Sequence, residues 1–178
     1  MKLLVLTGSP HQAGTTALLA DEFCAGAQEA GHTVARFDTG LMDIHPCIGC
    51  RHCKTHNGVC TFDDGMTQIY PHVTQDDAIA FITPLYYYGM TAQLKAVLDR
   101  MAAHSVNLRE WPRKVFLICA GSIEQEKGMD GVVSHLDTMC HFLHWDLVKP
   151  LLVLGAPDRA SIAHTEYPRL ARELGRNA

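Results

Sequence analysis

Long apolar runs, basic excess, internal repeats and linkers are all missing from this 178-residue chain. No stretch approaches the roughly 20 apolar residues of a membrane-spanning helix, so no membrane partner is expected. Lys and Arg total 15 against 19 Asp and Glu, a formal net charge of −4. That balance lacks the positive surplus that nucleic acid demands, which excludes DNA and RNA as expected partners. It is also too mild for a solvated, disordered acidic chain. The opening MKLLVLTGSP carries one Lys and a short apolar stretch that meets Gly8-Ser9-Pro10 at once. A secretory core runs about 7–15 residues, so this stretch reads as a first strand. Seven cysteines, an odd number, with no secretory signal predict a reducing cytoplasm and no disulfides. No Ser–His–Asp order and no paired-carboxylate motif stands out.

What is present is alternation. The length fits one domain, 1–178, able to bury roughly 70% of its unfolded surface. Short apolar runs at 2–7, 32–38, 77–83, 114–120 and 147–155 read as strands, with Pro150 at an edge or an end of the last. Helical patterns fall between them, over about 15–30, 64–73, 91–103 and 129–144, with a last one near 165–174. Apolar strands alternating with helices predict an α/β fold. The expected architecture is a doubly wound five-stranded parallel sheet of order 2-1-3-4-5 with helices on both faces. Ligands of such sheets bind beyond the carboxyl ends of the strands, at the switch point beside strands 1 and 3. The loops that begin at Gly8, Pro84 and Gly121 therefore decide the function.

The first of these, TGSPHQAGTTALL, runs from strand to helix and offers the hydroxyls of Ser9, Thr15 and Thr16 beside a helix start. Free N–H groups and the partial positive charge there suit a phosphate. No Lys precedes the threonine pair, so this is not a triphosphate loop, and G-x-G-x-x-G is absent. A single phosphate monoester fits better, against the plainer reading of an ordinary turn with Gly14 or Thr15 at the N-cap. The second loop, TPLYYYGMTAQLKAVLDRM, sets Tyr86, Tyr87 and Tyr88 at the crevice, where a planar heteroaromatic ligand can lie against a ring. The competing reading packs two of the three against neighbours or a partner chain. Lys95, Asp99 and Arg100 read as surface charges or helix-supporting pairs.

Taken in order, GSPHQAGTT, CIGCRHC…C, FDDGM and TPLYYYGMTAQLKAVLDR resemble the flavodoxin-like NAD(P)H-dependent FMN reductases and the iron–sulfur flavoproteins. The likeness covers about the first hundred residues. It implies a cofactor, FMN, with its phosphate on Ser9, His11, Gly14, Thr15 and Thr16. The isoalloxazine would lie along Pro84, Leu85, Tyr86 and Tyr87, with Gly121 and Ser122 near its far side. His11 and Thr15 depart from the family, which often has a basic residue and Asn there. The resemblance further implies NAD(P)H as electron donor, a small acceptor such as a quinone or a flavin, and a homodimer. The flavin would carry the chemistry, and backbone N–H groups near Gly121 would stabilise its developing charge.

The segment CIGCRHCKTHNGVC spaces Cys47, Cys50, Cys53 and Cys60 as C-x2-C-x2-C-x6-C. Four thiols so close suit a [4Fe–4S] cluster, and the iron–sulfur flavoproteins carry a very similar run. Zinc with His52 or His56 as a ligand and unligated, reduced thiols are the other readings. The main expectation is an FMN-dependent reductase with unligated thiols. The alternative is an electron carrier with a cluster on this loop, and a cofactor-free fold with a zinc-bound loop comes third. Cys24, Cys119 and Cys140 read as small core residues, and His141 and His144 as surface groups.

Overall fold

The computed structural model describes all 178 residues. The Leu-, Val- and Ile-rich runs form four full strands: β1 (Lys2–Thr7), β2 (Thr33–Asp38), β3 (Ala78–Pro84) and β4 (Lys114–Ala120). Two short strands, β5 (Asp146–Leu147) and β6 (Leu151–Val153), both pair with β4. Every pairing is parallel, and the order is β2-β1-β3-β4-β5, the flavodoxin-like arrangement expected from the sequence. The fifth strand differs from expectation in being split. Pro150 lacks an N–H for the ladder, so pairing with β4 stops after Leu147 and resumes at Leu151.

Eight helices connect the strands: α1 (Thr15–Glu29), α2 (His52–Thr55), α3 (Met66–Gln75), α4 (Ala92–Met101), α5 (Ser105–Arg109), α6 (Asp130–Leu143), α7 (Arg159–Ala163) and α8 (Tyr167–Arg176). The short α2, α5 and α7 carry too few turns to leave a periodic pattern, and sequence reading missed them. No helix is long and apolar enough to cross a membrane.

Strand alternation splits the core in two. Leu4, Leu6, Ile79 and Phe81 face α3, α4 and α6, whereas Leu3, Val5, Ala80 and Ile82 face α1, α7 and α8. On the second face Phe23 of α1 meets Phe116 of β4 with ring centroids 5.6 Å apart. Removing so large a buried ring costs about 3–5 kcal/mol. Here α1 and α8 touch backbone to backbone: a Cβ at Gly26 would strike the Arg172 carbonyl, and one at Gly175 the Phe23 carbonyl. Close crossing holds α1, and with it the start of that helix, firmly on the sheet. Cys119 and Cys140 are core residues, their thiols pushed up to about 12 by burial. Burial also raises half-buried Cys24, to about 11.

Candidate functional site

A cavity of about 560 Å³ opens beyond the carboxyl ends of β1, β3, β4 and β6. Its volume lies within the usual range for small-molecule sites. Ser9, His11, Gly14, Thr15 and Thr16 form one wall, and Pro84, Leu85, Tyr86, Gly121 and Ser122 another. Sequence reading had gathered these ten. A third wall, Ala156 to Ala160 after β6, was not anticipated.

The first wall is held from several sides. Thr39 donates its hydroxyl to the Thr7 carbonyl (2.7 Å), and Thr91 donates to the Gly8 carbonyl (2.7 Å). The Ser9 oxygen accepts from the His11 N–H (3.1 Å), which curls the loop toward α1. Behind it Gly40 packs so tightly on the Ser9 backbone that a Cβ there would overlap the Ser9 carbonyl. Gly14 is the N-cap of α1, and no side chain caps that helix. The N–H groups of Thr15, Thr16 and Ala17 find no backbone acceptor. Uncapped N–H groups at the positive end of a fifteen-residue helix make an anion cradle.

The second wall is tied down by backbone hydrogen bonds. Leu85 N–H donates to the Ala120 carbonyl (2.7 Å), and Tyr86 exchanges two bonds with Gly89 around a tight turn. Tyr87 and Tyr88 make that turn in the left-handed region, at φ 47° and 65°. Tyr86 lines the cavity, but Tyr87 stands outside it, 99% exposed at the tip. Of the N–H groups near Gly121, that of Gly121 itself donates to the Val153 carbonyl (3.0 Å). Sheet pairing continues one residue past β4 and consumes that donor. The next N–H, that of Ser122, has no backbone acceptor and lies in the cavity wall.

The cysteine segment lies apart from this cavity. Cys47, Cys50, Cys53 and Cys60 all line one small cleft of about 40 Å³, together with Arg51, Phe62, Tyr70 and Arg100. Cys47 and Cys50 are exposed, and Cys53 and Cys60 half-buried. Although the four thiols share a cleft, no three His, Cys, Asp or Glu side chains converge closely enough to hold a metal ion. His52 and His56 stack on each other, centroids 3.6 Å apart.

Both ends of the segment are anchored by a buried ion pair that sequence reading did not identify. Arg100 is no surface charge: its Nη1 and Nη2 donate to Asp64 at 2.8 and 3.1 Å, and both side chains are all but fully buried. Arg100 also donates to the His45 carbonyl (2.8 Å) and lies over the Phe62 ring. Burial pushes the Asp64 carboxyl up, but hydrogen bonds from Arg100 and from the His45 and Met66 N–H groups outweigh it, leaving a pKa of about 2. Burial opposes the Arg100 charge likewise, and bonding to Asp64 and Tyr70 raises its pKa in net. Midway, Lys54 of α2 donates to the Ala102 carbonyl (2.6 Å) and to Ser105 (3.0 Å). Lys95 and Asp99 form the surface helix pair that was expected.

Comparison with known proteins gives a consistent picture. The model of a family described as NADPH-dependent FMN reductase matches residues 1–156. An iron–sulfur flavoprotein of Methanocaldococcus jannaschii is 34% identical over 100 residues, which are 56% of this chain and 51% of that protein. The chain spans about half the length of the curated relatives it matches. Among solved structures, an NAD(P)H:quinone oxidoreductase from Methanothermobacter marburgensis superposes with a TM-score of 0.72 at 18% identity, covering 99% of this chain and 96% of that one. An azoreductase from Bacillus anthracis gives 0.71 at 15% identity, with both chains covered in full. At such identities these structures share the fold.

Proposed function

The chain belongs to the NADPH-dependent FMN reductase family, and from that membership we propose an oxidoreductase that binds FMN and passes electrons from NAD(P)H to a small acceptor. One observation carries the reading. A single cavity of about 560 Å³ joins an uncapped helix start to a wall of Pro84, Leu85 and Tyr86. The helix start suits a phosphate monoester, and the opposite wall suits a flat ring system. The donor set therefore fits FMN, whose bound isoalloxazine supplies the hydride chemistry.

The residues bind and orient. Ser9, Thr15 and Thr16 would hold the phosphate with hydroxyls and free N–H groups, His11 and Gly14 shape the loop, and Pro84, Leu85 and Tyr86 would hold the ring. Ser122, rather than Gly121, has the free N–H that would stabilise negative charge on a bound ring. Tyr87, outside the cavity, is available to a second copy of the chain, as a homodimer requires. The acceptor is a quinone, a flavin or a similar small molecule, with no membrane or nucleic-acid partner. Reduced cysteines suit a cytoplasmic setting, and the chain works as one domain over 1–178. Oxidation of NADH and NADPH by the FMN-loaded protein, followed with and without a quinone, tests the activity. Steady turnover that needs both FMN and an acceptor supports it, and no turnover with either nucleotide refutes it.

A second reading is favoured by one feature: Cys47, Cys50, Cys53 and Cys60 line a single cleft. With relatives named iron–sulfur flavoproteins, the chain becomes an electron carrier with a [4Fe–4S] cluster on this segment. The thiols as they stand do not form a ligand set, so a cluster would have to draw them together. Anaerobic reconstitution with iron and sulfide decides it: brown absorbance that bleaches with dithionite supports the cluster, and its absence leaves free thiols.

A further inference from the structure

A phosphate monoester carries close to two negative charges, yet the first-strand loop offers it no permanent cation: its one basic side chain is the His11 imidazole. The cavity itself contains a cation that comes from elsewhere. Arg159, the first residue of α7, is the only Lys or Arg in its lining. Arg159 belongs to the third wall, and its placement is fixed by the backbone. Gly155 N–H donates to the Ile123 carbonyl (2.9 Å) and Ala156 N–H to the Gly121 carbonyl (2.9 Å), which ties the segment to the β4 loop. Beyond it Ile162 of α7 is buried in the same core as Leu19 and Phe23 of α1. The start of α7 thus lies on the same face of the sheet as the uncapped start of α1.

The guanidinium is also uncommitted. Of nine arginines in the chain, six hydrogen-bond or ion-pair within it, namely Arg36, Arg100, Arg113, Arg169, Arg172 and Arg176. Arg109 lies over the Phe142 ring. Only Arg51, in the cysteine cleft, and Arg159 have no such partner. Asp158, its neighbour in sequence and also in the cavity wall, makes no ion pair with Arg159; its Oδ1 caps α7, accepting from the Ser161 N–H (2.8 Å). A free guanidinium beside a helix-start cradle is suited to bidentate phosphate binding.

We propose that Arg159 is the cation that faces the FMN phosphate, supplied by the loop after the last strand instead of the loop after the first. The assignment rests on the flavin reading of the cavity. Riboflavin, which has the ring and lacks the phosphate, separates the two. Affinities of FMN and riboflavin for the flavin-free protein are measured by quenching of flavin fluorescence, in wild type, Arg159→Gln and Arg159→Lys. Loss of one charge-assisted pair predicts FMN binding about tenfold weaker in Arg159→Gln, with riboflavin unchanged. Arg159→Lys recovers part of the loss, and thermal unfolding stays that of wild type because the side chain is exposed. An unchanged ratio of FMN to riboflavin affinity in Arg159→Gln overturns the assignment and leaves the flavin site standing. Equal weakening of both flavins overturns it as well, since Arg159 would then only shape the cavity. A wild-type protein that binds neither flavin overturns the site reading itself.

Discussion

The cavity at the strand ends and the cysteine cleft are built in opposite ways. The cavity's walls continue regular elements: β1 runs into the uncapped α1, β3 into a tight turn, and β4 pairs on through Gly121. Its size and its donors are set by those elements. The cleft is framed by a polar segment whose backbone visits the left-handed region at Arg51 and Asn57, and whose only helix has four residues. It holds about 40 Å³, close to the room one water needs, with thiols that do not converge. A preformed site binds without a folding cost, whereas a loop site gains its geometry from what it binds. What makes the cleft more than a loose loop is the Asp64–Arg100 pair beneath it.

Breaking that pair gives the largest expected effect. Asp64→Ala leaves the Arg100 charge buried without its counter-ion and costs about 3–5 kcal/mol, read as a lower unfolding midpoint in urea. If FMN affinity in the surviving folded protein falls as well, the two regions are coupled and the contrast fails.

The same pair sets an acid limit. The folded-state pKa of Asp64 is about 2 against an ordinary 3.8, so its contribution is complete above the unfolded value and lost as pH falls through the folded one. The stability at stake is about 2 kcal/mol. Unfolding free energies measured between pH 5 and pH 2 should drop by that amount in wild type and less in Asp64→Asn. Parallel pH profiles would mean that another group governs.

A third variant attacks the cavity alone. Gly40→Ala forces a Cβ into the Ser9 carbonyl and displaces the cradle. FMN binding should weaken about tenfold, as for one lost charge-assisted contact. Reactivity of the four loop thiols toward a thiol reagent should not change. Faster thiol labelling in that variant would blur the distinction.

The smallest effect concerns the exposed turn. Two left-handed tyrosines occupy positions where Asn and Gly fit best, so Tyr87→Asn should stabilise the monomer by about 1 kcal/mol in thermal unfolding. If that variant also loses a dimer seen for wild type in analytical ultracentrifugation, the strain serves an interface. No change in either quantity would mean the turn is relaxed.

How far the sequence could be read follows the same division. Apolar strands such as FLICA and the helix after GTT were legible because burial on both faces leaves continuous runs, and the switch-point rule then located three loops. Ten candidate ligand residues meet in one cavity for that reason. The third wall escaped notice because APDRAS carries no apolar period, and its one cue, Asp158 three residues before Ser161, signals a cap and not a ligand. The role of Arg100 was hidden since a helix pattern shows its face but not the distant Asp64 that meets it. Which N–H near Gly121 stays free was not legible, because the Gly121 N–H is taken by a single hydrogen bond to Val153 that depends on where β6 resumes after Pro150. Cysteine spacing, finally, announces four ligands without saying whether they converge.

One titration tests the central contrast most directly. Flavin-free wild type and a variant with Cys47, Cys50, Cys53 and Cys60 all changed to Ser are each titrated with FMN in the absence of air. The preformed cavity predicts one FMN per chain, with a two-banded flavin spectrum and the same affinity in both proteins. Absence of bound flavin in wild type, or its loss in the serine variant, would contradict a cavity that is complete without the cysteine segment.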